Sequence, residues 1–274
     1  VFVADTLLMR GGSGASNLIG AGTTQRLTAN GALVMIWSTL SPRLAPPVLE
    51  INATPAVGNI GAGGGIQADT TVFIGGNVSA LPTGAGYNYR SIRVGGATSF
   101  SFSSDTIAGD LHIASNLAFF AGSATFRVGG KLRVTGAAQF AIVSNDVYLT
   151  VVDSTIFSGA STNGLLTSGN IIALGAFVQA GDPAAFSATG TFRVQLYGGG
   201  LQQVRFTNPG QNATTSHFAD LQIGNSSAAG IQFLSPVFAG GTLFSQFGRP
   251  AVSRISGTAA DSLSITGVQA DSIT

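Results

Sequence analysis

Side chains able to do chemistry are few in this chain. It has no cysteine, two histidines (His112 and His217), one lysine (Lys131) and one glutamate (Glu50). Charged residues make up 8% of 274 positions, against roughly 25% in an ordinary soluble domain. A serine nucleophile on a sharp turn calls for Gly-x-Ser-x-Gly, and the nearest match, Gly224-Asn225-Ser226-Ser227-Ala228, lacks the closing glycine. Paired aspartates sharing a proton call for Asp-Thr/Ser-Gly twice. Asp5, Asp69, Asp105, Asp153, Asp261 and Asp271 are each followed by Ser or Thr but never then by Gly, which reads as turn chemistry. The glycine-rich stretch Gly58–Gly65 lacks the Lys-Ser/Thr ending and the helix that would cradle a phosphate. Neither His-Glu-x-x-His nor an EF-hand loop occurs. The sequence therefore assigns no catalytic residue, no metal site and no cofactor.

One grouping would exist only if the fold assembled it. If Ile92, Leu111 and Leu132 point inward from three stacked strands, their neighbours Arg93, Asp110, His112, Lys131 and Arg133 share one outward face. Such a face suits an acidic glycan, or, by fold analogy alone, a polysaccharide-lyase-like site. The plainer reading is a solvated surface on which Asp110 pairs with Lys131 across coils for about 0.2–1 kcal/mol.

The elements that would position these residues follow from internal repetition. Pairs of aliphatics one residue apart recur at Leu49/Ile51, Val72/Ile74, Ile92/Val94, Leu111/Ile113, Leu132/Val134, Leu149/Val151, Ile172/Leu174, Val194/Leu196, Leu221/Ile223 and Leu263/Ile265, with Leu243/Ser245 in the remaining slot. The intervals run from 17 to 27 residues, a period typical of solenoids. Local wording repeats as well: Ser91–Gly96 is SIRVGG and Thr125–Gly130 is TFRVGG. Alternation of buried and exposed positions is the mark of a strand with one buried face. Steps such as Gly95-Gly96, Gly129-Gly130 and Asn163-Gly164 would turn the corners, where positive φ or the lack of a Cβ is needed. Many of the 18 phenylalanines would stack inside the coil, from Phe100, Phe102, Phe119, Phe120 and Phe140 to Phe157, Phe177, Phe206 and Phe233. The expected fold is all-β, a parallel β-helix (solenoid) with coils of about 20 residues; an antiparallel β-sandwich is the competing architecture.

Composition narrows the function classes. Apolar residues at 45% with a net charge of +1 favour collapse over disorder. The same neutrality argues against nucleic acid as a partner. No apolar run reaches the ~18–20 residues of a membrane helix. The chain opens at Val1 with no signal peptide, as expected of a processed product or part of a longer precursor. Residues 1–48, with the break at Arg43–Pro47, read as an N-terminal strand and cap or assembly segment; residues 49–274 read as the array. Val1, Phe2, Val3, Leu7 and Leu8 form a candidate assembly strand that would pair with another copy.

From Gln202 to Leu243 the order Phe218, Asp220-Leu221, Ile223, Asn225-Ser226, Gly241-Thr242-Leu243 resembles the repeat of secreted bacterial β-helix surface proteins, the filamentous-haemagglutinin and autotransporter-passenger type of stalk and adhesin. The resemblance implies a fold and a secreted or cell-surface location, and carries no catalytic residue. The expected function is a non-enzymatic extracellular structural protein, a filament or stalk subunit or adhesin whose partners are copies of itself and surface glycans. A carbohydrate-active β-helix enzyme and a viral coat or tail protein are the alternatives.

Overall fold

The computed structural model describes residues 2–10, 17–19, 25–36, 43–52, 54–58, 64–75, 78–96, 99–120, 122–245, 255–256 and 263–265. Val1, the expected loop Gly11–Gly14 and most of the C-terminal stretch after Ser245 lie outside the described residues. The described chain is a β-solenoid of about nine turns with coils of about 22 residues and no helix. Each regular coil contributes one strand to each of three faces. Leu111–Ile113, Leu117–Phe120 and Ala124–Val128 complete one circuit, and Leu132–Thr135 begins the next directly beside Leu111–Ile113. Every strand pairing is parallel, so the sandwich alternative is excluded.

The first face is a 13-stranded sheet that starts at Phe2–Arg10 and Arg26–Ile36 and continues through Val48–Ile51 to Ile255–Ser256. It crosses residue 48 without interruption, because Arg26 registers with Val48 and Leu27 with Leu49. The second face is a seven-stranded sheet from Asp105–Ile107 to Leu243–Ser245. The third is made of short strands such as Phe100–Phe102 and Gln139–Ala141 and of isolated bridges, including Ile142 with Leu166 and Leu166 with Ala188.

Register follows the period-2 pattern but corrects several expected rungs. On the long sheet the inward column reads Leu49, Thr71, Ile92, Leu111, Leu132, Thr155, Phe177, Val204. Val72 therefore stands on the outward column between Glu50 and Arg93, one place away from the rung expected at Val72/Ile74. Ile171 and Ala173, not Ile172 and Leu174, face inward. Leu149/Val151 and the later pairs Val194/Leu196, Leu221/Ile223 and Leu243/Ser245 belong to the second sheet. Leu263/Ile265 pairs with Val237–Ala239 on neither of these two faces. All three faces are written in the same alternating aliphatic text, so a single ladder read along the chain slips from one face to another.

The interior is apolar and strongly aromatic. From Phe73 through Phe100, Phe102, Phe120, Phe140, Phe157, Phe177 and Phe206 to Phe218, successive ring centroids lie 4.9 to 6.1 Å apart. Tilted and edge-on contacts of this kind add to the stabilisation from burial itself. Phe157, Phe177 and Phe206 enter this column from the long sheet, not from the short third-face strands that supply Phe100, Phe102, Phe120 and Phe140. Phe119 alternates out of the column and is half-buried. Polar side chains that enter the interior differ: the Thr71 and Thr155 hydroxyls on the inward column have no hydrogen-bond partner among the described residues, whereas Gln179 is fully bonded. Gln179, fully buried on the long sheet, donates to the Asp182 carbonyl at 2.8 Å and accepts the Thr207 and Asn208 amides at 2.9 and 3.1 Å.

The corner glycines divide by mechanism. Gly164 has φ +73 and answers the conformational demand. Gly129 has no positive φ; a Cβ there would run into the Ala108 carbonyl of the coil below. Close stacking of coils, not left-handed backbone, requires that residue.

Candidate functional site

The expected charged face is assembled. Arg93, His112 and Arg133 occupy one outward column of the long sheet in three successive coils. With adjacent parallel strands about 4.8 Å apart, the two arginine backbones stand about 10 Å from each other. Asp110 and Lys131 sit at the starts of the same strands, before Leu111 and Leu132. Parallel stacking of near-identical strands brings these residues together, because each coil restarts the first face at the same register.

Within the cluster the charges are unequally engaged. His112 Nε2 lies 2.7 Å from Thr135 Oγ1. Burial pushes the imidazole below its ordinary value of 6.5; the Arg93 and Arg133 guanidiniums push it the same way, and Asp110 opposes them. His112 is therefore neutral at pH 7. Arg93 is exposed, and no ion pair to Arg93 or Arg133 occurs among the described residues. Arg133 is half-buried, with its Nε shielded from solvent and unbonded.

Asp110 and Lys131 do meet, though not as an ion pair. The Asp110 carboxylate accepts the backbone N–H of Lys131 at 2.8 Å, while the Lys131 ammonium lies 3.8 Å from the carboxylate of Asp153, one coil further. The Asp110 amide in turn donates to Ser91 Oγ at 3.1 Å. The acid is a coil-to-coil fastener. The same device recurs on the second face, where Asp220 accepts the Thr242 amide at 2.8 Å and has Arg193 3.8 Å away. In both cases a glycine precedes the capped residue, and a Cβ on Gly130 or Gly241 would collide with the capping carboxylate.

The residues of the Gln202–Leu243 wording have physical roles as well. Phe218 is fully buried in the aromatic column, and Leu221 and Ile223 face inward. The buried Asn225 donates to the Gly200 carbonyl at 3.0 Å and accepts the Ser227 amide at 2.8 Å.

The candidate assembly strand is already paired within its own chain. Phe2–Arg10 runs parallel to Arg26–Ile36, with Phe2 against Leu27, Val3 against Thr28, Leu7 against Leu33 and Leu8 against Val34. Leu7 packs on the core and Leu8 is exposed; Val1 lies outside the described residues.

Two engaged partners escaped the sequence reading, Thr135 and Asp153. Thr135 has the same outward parity as Arg133, so the period-2 pattern contains it; Asp153 precedes a strand whose membership in the long sheet was hidden by Thr155. A further feature is a cleft of about 310 Å³ lined by Thr189, Gly190, Gln211, His217 and Gly240. It forms where the coil between Val204 and Phe233 lengthens to carry the loop 207–216. His217 donates from Nδ1 to the Thr215 carbonyl at 3.1 Å, and burial lowers its pKa from 6.5. Among the described residues no group of three or more His, Cys, Asp or Glu is placed to hold a metal ion, and no helix is long and apolar enough to cross a membrane. Comparison with protein-family models, curated proteins and solved structures gave no match.

Proposed function

We propose that this chain is a non-enzymatic structural solenoid of the cell exterior, a stalk or filament element with adhesive capacity. One observation carries the reading: the acidic and imidazole groups of the candidate face are spent on joining coils. Asp110 holds the Lys131 amide, Asp153 the Lys131 ammonium, and His112 the Thr135 hydroxyl. A lyase or hydrolase would turn such groups toward a reacting bond. The filled aromatic interior and the parallel ladders fit a mechanical role, in which load is shared across many backbone hydrogen bonds. Low charge and a glycine-, serine- and threonine-rich surface fit a secreted location. Association with further copies would extend the ladder by stacking onto Phe2–Arg10, whose parallel geometry repeats that of every other rung.

The test is to incubate the purified chain with acidic and neutral polysaccharides and to stretch single molecules. The structural reading expects no new reducing ends or unsaturated products, and stepwise high-force unfolding coil by coil. Turnover of any polymer that is lost in Asp110→Asn would overturn it.

A further inference from the structure

Four basic residues stand beside an acid among the described residues. Arg26 contacts Glu50, Arg90 contacts Asp69, Lys131 faces Asp153 and Arg193 faces Asp220. Arg93 and Arg133, like Arg43, Arg127 and Arg205, have no ion pair among the described residues. The first two flank His112 in one outward column, and the only acid of the cluster, Asp110, is turned to the Lys131 backbone amide. Along the strands the outward positions are Gly95, Ala114 and Thr135 at one end and Ser91, Asp110 and Lys131 at the other; along the column Val72 flanks Arg93 and Ile156 flanks Arg133. The result is a strip carrying two arginines whose backbones stand about 10 Å apart along the solenoid axis, with a neutral imidazole between them in the column.

We propose that Arg93, His112 and Arg133 form a linear binding track for an extended polysaccharide bearing carboxylates. The geometry selects the ligand class. Two cations borne on backbones two rungs apart suit anionic groups repeated along an extended chain. Guanidiniums pair with carboxylates through two parallel hydrogen bonds. The sheet surface admits a chain lying across coils. The inference goes beyond the structural reading, because a stalk without this track would still be a stalk.

The track is also pH-gated. The groups facing His112 from the adjoining strands are Arg93, Arg133 and Asp110, with Lys131 at the margin and Thr135 as its hydrogen-bond partner. Protonation places a third cation between the two arginines. That is unfavourable in the free protein and becomes favourable once carboxylates lie over the strip. Polymer binding therefore raises the imidazole pKa, and affinity increases as pH falls.

The probe is polygalacturonate, with dextran as the neutral polymer and galacturonate as the single anion. Binding to the intact chain is measured at about pH 5 and about pH 8. The track predicts binding of polygalacturonate but not dextran, only weak binding of the monomer, and tighter polymer binding at the lower pH. Arg93→Ala/Arg133→Ala should weaken binding by at least about tenfold. Arg43→Ala/Arg127→Ala, which removes the same charge from exposed positions elsewhere, should change it by less than about twofold. Arg93→Ala alone, at an exposed position, gives a reading independent of any folding defect. His112→Gln should abolish the pH dependence. Equal losses in the two double variants would show non-specific charge attraction and overturn the track; an unchanged pH profile in His112→Gln would overturn the gating. Either failure is separable from the structural reading, which is tested by polymer turnover and mechanical unfolding.

Discussion

The Asp110 carboxylate spans one coil to accept the Lys131 backbone N–H at 2.8 Å. Its counterpart at Asp220 holds the Thr242 amide at the same distance. A charged acceptor on a partly shielded amide is worth about 1.5–3 kcal/mol. Asp110→Ala should lower stability by an amount in that range, and Asp110→Asn, which keeps a carbonyl acceptor, by less. Thermal unfolding of the two variants checks the order; equal losses would mean that the fastener does not act through this bond.

The aromatic column makes a second prediction. Phe177 touches Phe157, Phe186, Phe206 and Phe218 with centroids 4.8 to 6.1 Å away. Phe177→Ala should cost about 3–5 kcal/mol through lost burial and the cavity left behind. Phe119→Ala, from a half-buried position outside the column, should cost clearly less. Denaturant midpoints and near-ultraviolet dichroism of both variants test the contrast.

Thr155 supplies the opposite sign. Its side chain is fully buried on the inward column of the long sheet, and its hydroxyl has no hydrogen-bond partner. Thr155→Val replaces that hydroxyl with a methyl of similar size and should stabilise the fold by up to about 1–3 kcal/mol. A raised melting temperature is expected; a lowered one would show that the hydroxyl is bonded in solution.

His217 sets a pH dependence. Burial holds its folded-state pKa below the ordinary value of 6.5, against the opposing pull of nearby backbone carbonyls including that of Thr215. The unfolded chain therefore takes up the proton first as pH falls. This contribution to stability is fully present above 6.5, declines as pH drops below it, and levels off once the folded-state pKa is passed. His217→Gln should flatten that slope, as read by melting temperature across the acid range.

The fold class was legible because a parallel solenoid writes its period directly into the chain, and the charged face followed from the alternation at Ile92, Leu111 and Leu132. The assignment of later rungs was not legible. Thr155, Phe177 and Gln179 occupy inward positions of the long sheet without being aliphatic, so the eye passes to Leu149/Val151, whose text is more regular but belongs to another face. The short 17-residue interval from Leu132 to Leu149 is the trace of that slip. Side-chain to backbone bonds such as Asp110 to Lys131 leave no mark beyond a glycine before the capped residue. The 207–216 loop registers only as an overlong repeat.

Both the mechanical reading and the anion track depend on coils lying in the stated register, and the absence of cysteine makes this directly measurable. Arg93 and Arg205 are both exposed and share one outward column, five rungs apart through His112, Arg133, Ile156 and Val178. Spin labels on Arg93→Cys/Arg205→Cys should report a single narrow distance distribution, with backbones about 24 Å apart at about 4.8 Å per rung. A broad distribution, or one centred more than about 10 Å beyond that spacing, would contradict the stacking on which the account rests.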